Sequence, residues 1–208
     1  MTIRGILLPL FVAALAAGSA QRPARLFDGR TFKGWEGDTT KVFRIEDGAI
    51  VGGSLSEALP RNEFLTTKEE FGDFDLRLEF KVRGERANAG VQIRSRRVPG
   101  QSEVRGYQAD LGEGYWGSLY DEARRGKILA QADQEAVKRV LKREDWNTYR
   151  ILCEGRRIRL WINGLETVDY TEPDESIEQK GVIGLQVHGG VPMEVRYRNI
   201  VVRRLGGS

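Results

Sequence analysis

Hydrophobic and polar residues alternate along most of the chain, and this period of two predicts β-strands with one buried and one solvated face. The clearest run is Asp75–Arg83, in which every even-numbered residue is apolar and every odd-numbered residue is charged. Further strands are predicted at Gly90–Arg96, Tyr107–Leu111, Asn147–Cys153, Gly181–Val187 and Glu194–Arg203.

Two dipeptides between strand-like runs predict tight hairpins. Asp47-Gly48 and Asn163-Gly164 both tolerate the positive φ angles of a type I′ turn, whose twist matches that of the flanking strands. The strands that they would join are Phe43–Glu46 with Ala49–Val51, and Ile158–Ile162 with Glu166–Val168.

Helical spacing is confined to Asp133–Arg143, where Ala136, Val137, Val140 and Leu141 fall on one stripe. A helix of that length is too short to cover a large sheet. The sequence therefore predicts an all-β protein in which two antiparallel sheets pack face to face, a jelly-roll β-sandwich with one short helix.

The first twenty residues have the pattern of a signal peptide. Arg4 precedes the apolar run Ile6–Ala17, and the small residues Gly18-Ser19-Ala20 form a cleavage site. We expect residues 1–20 to be removed and residues 21–208 to form one domain, exported in soluble form to a periplasm or to the exterior. No cysteine stands at the cleavage site, so we do not expect a lipoprotein or any membrane attachment after cleavage.

The charge balance argues against nucleic-acid binding. Removing Arg4 with the leader leaves 32 basic and 30 acidic residues, a formal charge of +2, and no helix carries a basic stripe. The lone cysteine, Cys153, lies in a strand-like run and cannot form an internal disulfide. We expect a buried, inert thiol there, and a catalytic pair with His188 is the less favoured alternative.

The segment Gly106–Glu122 has the most unusual composition, with four carboxylates, four aromatic residues and a glutamine among glycines. Aromatic rings cover the C–H faces of sugars, and fixed carboxylates and amides bind hydroxyl groups, so the segment predicts a cleft for a polyhydroxylated ligand. The alternative is an aromatic-rich edge strand and its hairpin. Gly112–Gly117 also matches G-x-G-x-x-G, but a strand-like run follows it, so we do not expect a dinucleotide site.

Eight motifs follow one another along the chain: LFDGRTFKGW (Leu26–Trp35), FGDFDLRLEF (Phe71–Phe80), NAGVQIR (Asn88–Arg94), GYQAD (Gly106–Asp110), GSLYDE (Gly117–Glu122), EDWNTYR (Glu144–Arg150), WING (Trp161–Gly164) and GLQVHG (Gly184–Gly189). In order and in spacing they resemble the 3-keto-disaccharide hydrolase family, long known only as a domain of unknown function. The resemblance implies a concanavalin A-like sandwich that acts on glycosides whose C3 hydroxyl has been oxidised to a ketone.

A related motif bears on the chemistry. Retaining β-glucanases of this fold use E-x-D-x-x-E, and Gln108-Ala109-Asp110-Leu111-Gly112-Glu113 has that spacing with an amide in place of the nucleophile. An amide cannot serve as that carboxylate, which disfavours ordinary double displacement. A C3 ketone instead acidifies the C2–H bond, so a base near C2 and an acid at the departing oxygen would permit β-elimination followed by hydration.

Three residues are the catalytic candidates: His188, Glu122 and Asp110. Histidine changes charge near neutral pH, and strand alternation places His188 on one face with Gln186, Asp110 with Gln108, and Glu122 with Tyr120. The alternatives are a histidine at a strand end and solvated surface carboxylates. Candidates for substrate binding are Arg94, Tyr107, Gln108, Glu113, Tyr115, Trp116, Tyr120 and Gln186.

Four alternatives remain open at this level. Arg94 either points into a concave sheet or belongs to a solvated basic face, and Trp116 either stacks on a sugar or packs in the core. The sequence requires no cofactor, although carboxylates with one histidine could bind a divalent metal. The expected partner is a carbohydrate, and a non-catalytic lectin-like module is the alternative to an enzyme. The sequence does not determine the oligomeric state.

Overall fold

In the computed structural model, which describes residues 22–206, fifteen strands pair antiparallel and one helix lies between the tenth and eleventh. The signal peptide predicted for residues 1–20 lies outside the described residues. In chain order the elements are β1 (Ala24–Arg25), β2 (Trp35–Glu36), β3 (Phe43–Glu46), β4 (Ala49–Ala58), β5 (Glu63–Phe71), β6 (Phe74–Arg83), β7 (Asn88–Arg97), β8 (Val104–Gly112), β9 (Leu119–Glu122), β10 (Lys127–Ala130), α1 (Gln134–Val140), β11 (Asn147–Glu154), β12 (Arg157–Ile162), β13 (Leu165–Thr171), β14 (Gly181–Val187) and β15 (Pro192–Arg204).

The strands form two sheets packed face to face, which confirms the predicted β-sandwich. The first sheet has the order β13-β12-β11-β6-β15-β4-β3, with β1 also paired to β15, and the second has the order β10-β9-β8-β7-β14-β5-β2. The even-numbered residues of β6 are buried between the sheets, as the alternation predicts, and they belong to one apolar cluster with residues of β7 and β14.

Both predicted hairpin turns are present. Asp47 and Gly48 have φ angles of 50° and 73°, and Asn163 and Gly164 have φ angles of 48° and 88°. Positive φ at both central residues is the signature of the type I′ turn. They join β3 to β4 and β12 to β13.

The structure departs from the predicted elements in the length of its helix and in several strands that were not predicted, among them β1, β2 and β10. The helix is shorter than predicted, because Leu141 is extended (ψ 129°), although Asp133 caps its start by accepting the N–H groups of Glu135 and Ala136. The nine-residue strand β5 was not predicted. Its residues 64–67 are all buried, so it lacks the alternation that identifies a half-solvated strand.

One tyrosine ties the two sheets together. The hydroxyl of Tyr197, on β15 of the first sheet, lies 2.9 Å from the carbonyl oxygen of Gln186 and 3.1 Å from that of Gly90, which belong to β14 and β7 of the second sheet. It is fully buried. Since buried carbonyl groups require partners, this hydroxyl fixes the distance of β7 and β14 from the first sheet.

The register of the second sheet determines which side chains meet on its outer face. Gly90 of β7 pairs with both Asp110 of β8 and Gln186 of β14. Gln108 of β8 pairs with Tyr120 of β9 in the adjacent row. Residues that are far apart in sequence therefore lie side by side across the strands, about 4.8 Å from one strand to the next.

Candidate active site

A cleft of about 450 Å³ lies on the outer face of the second sheet and runs across the strands. It brings together Asp110, Glu122 and His188, the three catalytic candidates, whose roles remain predictions. Gln108, Tyr115 and Tyr120 also line it. The complete lining is Asn62, Asn88, Gln108, Asp110, Tyr115, Tyr120, Glu122, Gly126, Lys127, Ile128 and His188.

Asp110 is the most perturbed acid of the cleft. Burial raises its pKa to about 7, the negative charge of Glu122 adds to the rise, and a hydrogen bond from Gln108 acts in the opposite direction. A carboxyl group with this pKa holds or releases a proton close to neutral pH. It therefore meets the requirement for a general acid that is recharged at each turnover.

A directed chain of hydrogen bonds fixes the orientation of Asp110. The Ser95 hydroxyl donates to Oε1 of Gln92 (2.8 Å), and Nε2 of Gln92 donates to Oε1 of Gln108 (2.6 Å). Nε2 of Gln108 then donates to Oδ1 of Asp110 (2.7 Å). Because Oδ1 accepts this bond, Oδ2 is the oxygen that carries the proton when Asp110 is neutral. A Cβ atom at Gly90 would lie 2.6 Å from Cδ of Gln108, so only glycine leaves room for the chain.

Glu122 and His188 are the other two catalytic candidates in the cleft. Burial raises the pKa of Glu122, with a smaller contribution from Glu103, and His188 and Gln186 act to lower it. Nδ1 of His188 lies 2.7 Å from the carbonyl oxygen of Gly189. A carbonyl oxygen only accepts, so Nδ1 carries a hydrogen atom, and the neutral imidazole has its free lone pair on Nε2.

Several amide groups around the cleft have unused hydrogen-bonding capacity. Among the described residues, Oδ1 of Asn88 and both amide atoms of Gln186 are buried without a hydrogen-bond partner of normal geometry, although Gln186 lies close enough to Glu122 to affect its pKa. Gln186 is fully buried and does not line the cleft. Asn62 accepts the N–H of Gly189 through Oδ1 (3.1 Å), which leaves its Nδ2 available. Unpaired buried polar atoms indicate a place for the polar groups of a ligand or of water.

Five lining residues were not found by sequence reasoning: Asn62, Asn88, Gly126, Lys127 and Ile128. Although Asn88 begins the NAGVQIR motif, none of the five was recognisable as a residue for chemistry, and four of them lie at the start of a strand or just before one. Only the strand register places them beside Asp110 and His188. The sequence analysis did not establish which strands are neighbours in the sheet, and these residues could not be found without that information.

Arg94 was predicted either to point into the cleft or to lie on a solvated face, and it does neither. A bulge between Ile93 and Arg96 gives Arg94 a φ angle of 47° and breaks the alternation. Its guanidinium is fully buried and donates to the carbonyl oxygens of Gly72 (2.7 Å) and Gly155 (2.6 Å), and to the side chains of Gln179 (2.8 Å) and Asp73 (2.7 Å). Arg94 therefore holds three loops together at one end of the sandwich.

Tyr107 is also outside the cleft, because it faces the interior of the sandwich. Its hydroxyl donates to Glu172 (2.8 Å), and the guanidinium of Arg124 lies 4.4 Å from the ring centroid. Burial raises the pKa of Tyr107 to about 12. Alternation places neighbouring residues on opposite faces, so Gln108 and Tyr107 could not both reach the ligand.

Glu113 and Trp116 line a separate cavity of about 580 Å³. Glu113 forms an ion pair with Arg143 (3.1 Å), and Trp116 stacks on Phe80 with ring centroids 6.2 Å apart. Both lie in the turn between β8 and β9, where no helix follows the glycines of Gly112–Gly117. The spacing shared with the β-glucanase motif therefore does not bring Glu113 into the cleft with Asp110.

Three remaining expectations concern metal, thiol and membrane. Residues 22–206 contain no group of three or more His, Cys, Asp or Glu side chains placed to hold a metal ion. Cys153 is buried, as expected, and burial raises the pKa of its thiol to about 12. Over the same described range, no helix combines the length and the apolar character that crossing a bilayer requires.

The comparisons with known proteins identify the family and the fold. A profile of the family described as the 3-keto-alpha-glucoside-1,2-lyase-like domain matches residues 22–203. No curated protein sequence matches the chain significantly.

Solved structures share the fold at low sequence identity. A candidate glycosyl hydrolase of Parabacteroides distasonis ATCC 8503 is 19% identical, with a TM-score of 0.67 over 88% of this chain and 94% of the other. The carbohydrate-binding module CBM66 of Bacillus subtilis is 14% identical, with a TM-score of 0.63 over 82% and 95%. The β-glucanase of Bacillus licheniformis is 9% identical, with a TM-score of 0.55 over 90% and 99%.

Proposed function

Because the chain belongs to the 3-keto-alpha-glucoside-1,2-lyase-like family, we propose that its cleft cleaves the glycosidic bond of sugars whose C3 hydroxyl has been oxidised to a ketone. The observation that carries this proposal is the meeting of Asp110, Glu122 and His188 in one cleft, with the pKa of both carboxyls raised. Two carboxyl groups with raised pKa values, that of Asp110 at about 7, supply together with a histidine the proton transfers that such a reaction needs.

The first step is the removal of the proton at C2. The neighbouring ketone makes this proton acidic, and Nε2 of His188 is the base that takes it. The electron pair left at C2 delocalises onto the C3 oxygen and gives an enolate. Nδ2 of Asn62, whose Oδ1 binds the N–H of Gly189 next to His188, is the donor available to stabilise that negative charge.

The second step breaks the bond between C1 and the departing oxygen. The enolate returns its electron pair to form a C1–C2 double bond, and Oδ2 of Asp110 transfers its proton to the oxygen as it leaves. The products of elimination are an alcohol and a 1,2-unsaturated 3-keto sugar. Water then adds at C1 with Asp110 as base, and protonated His188 returns a proton to C2, so the net reaction is hydrolysis.

Incubation with a 3-keto-glucoside and with its unoxidised parent tests this proposal. We expect release of the alcohol from the keto sugar alone, and slower release when deuterium replaces hydrogen at C2. Asp110→Asn and His188→Gln should each lower kcat by about 100-fold or more. Glu113→Gln is the matched control, since this carboxylate lies outside the cleft.

Two other outcomes would refute the proposal. Cleavage of the unoxidised parent at a similar rate would indicate a conventional glycosidase. Sugar binding without cleavage of either compound would instead support a lectin-like module.

The leader sequence supports export as a further part of the proposal. Residues 1–20 have the charged, apolar and small-residue regions of a cleavable signal. Mass spectrometry of protein recovered from the periplasm or the medium should give a chain that begins at Gln21. An intact chain that begins at Met1 and remains inside the cell would contradict export.

A further inference from the structure

The two ends of the cleft differ in their side chains, and the strand order sets their positions. Crossing the sheet from β10 to β5, the lining passes from Ile128 on β10 to Tyr120 on β9, Asp110 on β8, Asn88 on β7 and finally Asn62 just before β5. Five strand spacings separate the two ends, about 24 Å. The β10 end carries Tyr120 and Ile128 together with the charged Glu122 and Lys127, and the β5 end carries the amides of Asn62 and Asn88 together with His188.

At the β5 end, two segments of the chain are in direct contact. Asn62 accepts the N–H of Gly189 (3.1 Å), and the Ser102 hydroxyl donates to the carbonyl oxygen of Asn62 (3.1 Å). A Cβ atom at Gly189 would lie 2.5 Å from the backbone of Arg61. These contacts hold Asn62 and the residue after His188 together at this end of the cleft.

The β10 end carries exposed apolar groups. Within residues 22–206, the three most exposed large hydrophobic side chains are Tyr115 (44% exposed), Leu55 (44%) and Ile128 (37%). Two of these, Tyr115 and Ile128, stand at this mouth of the cleft. Tyr120 pairs with Ile128 beside them, and β10 is the edge strand of the sheet. Apolar groups kept at the surface around a cleft are typical of a binding contact.

We propose that the cleft selects 3-keto-glucosyl groups attached to an apolar aglycone, which lies over β9 and β10 against Tyr115, Tyr120 and Ile128. This inference rests on the proposed function, because it assigns the leaving side of the same reaction. Asp110 on β8 stands between the β5 end and the β10 end of the cleft. A glycosidic oxygen above Asp110 therefore directs the sugar toward His188 and the aglycone toward the edge strand.

Benzyl and methyl 3-keto-glucosides test the proposal, because their leaving alcohols have similar acidity and differ in apolar surface. We expect wild-type kcat/KM to be at least about 10-fold higher for the benzyl compound. Ile128→Asn should lower the benzyl-to-methyl ratio about 5-fold, and Tyr115→Ser should lower it in the same direction. Leu55→Asn is the control, since Leu55 is equally exposed but lies outside the cleft, and it should leave the ratio unchanged.

Equal kcat/KM for the two compounds in the wild type would overturn the proposal. So would an unchanged ratio in both Ile128→Asn and Tyr115→Ser, or a preference for a glucosyl over a benzyl leaving group. If neither keto compound is cleaved, the proposed reaction is refuted, and the apolar subsite is then tested by binding alone. Calorimetric binding of unoxidised benzyl and methyl glucosides then decides the question: tighter benzyl binding that weakens in Ile128→Asn supports the apolar subsite, and equal binding refutes it.

Discussion

Replacing Asp110 with asparagine isolates the cost of ionising a buried carboxyl group. The native pKa is about 7, against an ordinary value of 3.8. Between these two values the native state holds a proton that the unfolded chain has released, so stability falls as pH rises. The difference of about 3 pKa units corresponds to about 4 kcal/mol, which is present below pH 4 and lost above pH 7. Asparagine has a similar shape, can accept the bond from Gln108 and does not ionise.

Urea unfolding of both proteins at several pH values from 4 to 8 measures this effect. The free energy of unfolding of Asp110→Asn, minus that of the wild type, should increase by about 4 kcal/mol across this range and level off above pH 7. Most other titrations are common to both proteins and cancel in the difference. A difference that stays constant within about 1 kcal/mol would refute the reasoning, because Asp110 would then titrate normally in the folded protein.

Glu122→Gln tests independently whether Glu122 contributes to the raised pKa of Asp110. Since the negative charge of Glu122 helps to raise the pKa of Asp110, its removal should lower that pKa. The pH-dependent loss that is due to Asp110 should then become smaller and be complete at a lower pH. An unchanged midpoint for Asp110, followed by the ¹³C shift of its carboxyl carbon, would show that the two groups are not coupled.

Three further predictions concern the surrounding framework. Arg94→Met should lower the free energy of unfolding by about 3 kcal/mol, because the oxygen atoms that bind the buried guanidinium lose their hydrogen-bond donor. Urea unfolding measures this loss of stability. An unchanged KM would show that Arg94 has no role in substrate binding. Gly90→Ala should displace Gln108 and lower kcat at least 10-fold, whereas Gly72→Ala, where the nearest atom to a new Cβ is 3.9 Å away, should not. Cys153 should react with a thiol reagent only after unfolding, and rapid labelling of the native protein would contradict its burial.

The strands predicted from sequence are those in which apolar and polar residues alternate, including β7 and β8, whose faces are both largely buried in the structure. From Leu76 to Arg83, β6 alternates without interruption and its even-numbered residues are the buried ones. In β5 two apolar residues, Phe64 and Leu65, precede two polar ones, Thr66 and Thr67, so no period of two exists to be found there. The hairpin turns were predictable for a separate reason, since Asp-Gly and Asn-Gly are among the few pairs that accept positive φ at both positions.

For the cleft, alternation predicted which neighbours share a face but not which strands lie next to one another. It placed Gln108 with Asp110 correctly. It failed at Arg94, because the bulge there shifts the side chain out of phase. Asn62 and Lys127 reach the cleft only through pairing between distant segments, and a single sequence does not encode that pairing in any local pattern.

The hydroxyl of Tyr197 gives the cleft a mechanical link to the far side of the protein. It contacts the backbone of Gly90 and Gln186, and these residues are in register with Asp110. Any substitution that moves β15 by a few tenths of an ångström shifts the strand beneath the amide chain as well. A mutational scan for altered turnover should therefore recover positions along β15 that never contact a substrate. Tyr197→Phe, which removes only the hydroxyl group, measures how much of this effect depends on that hydroxyl.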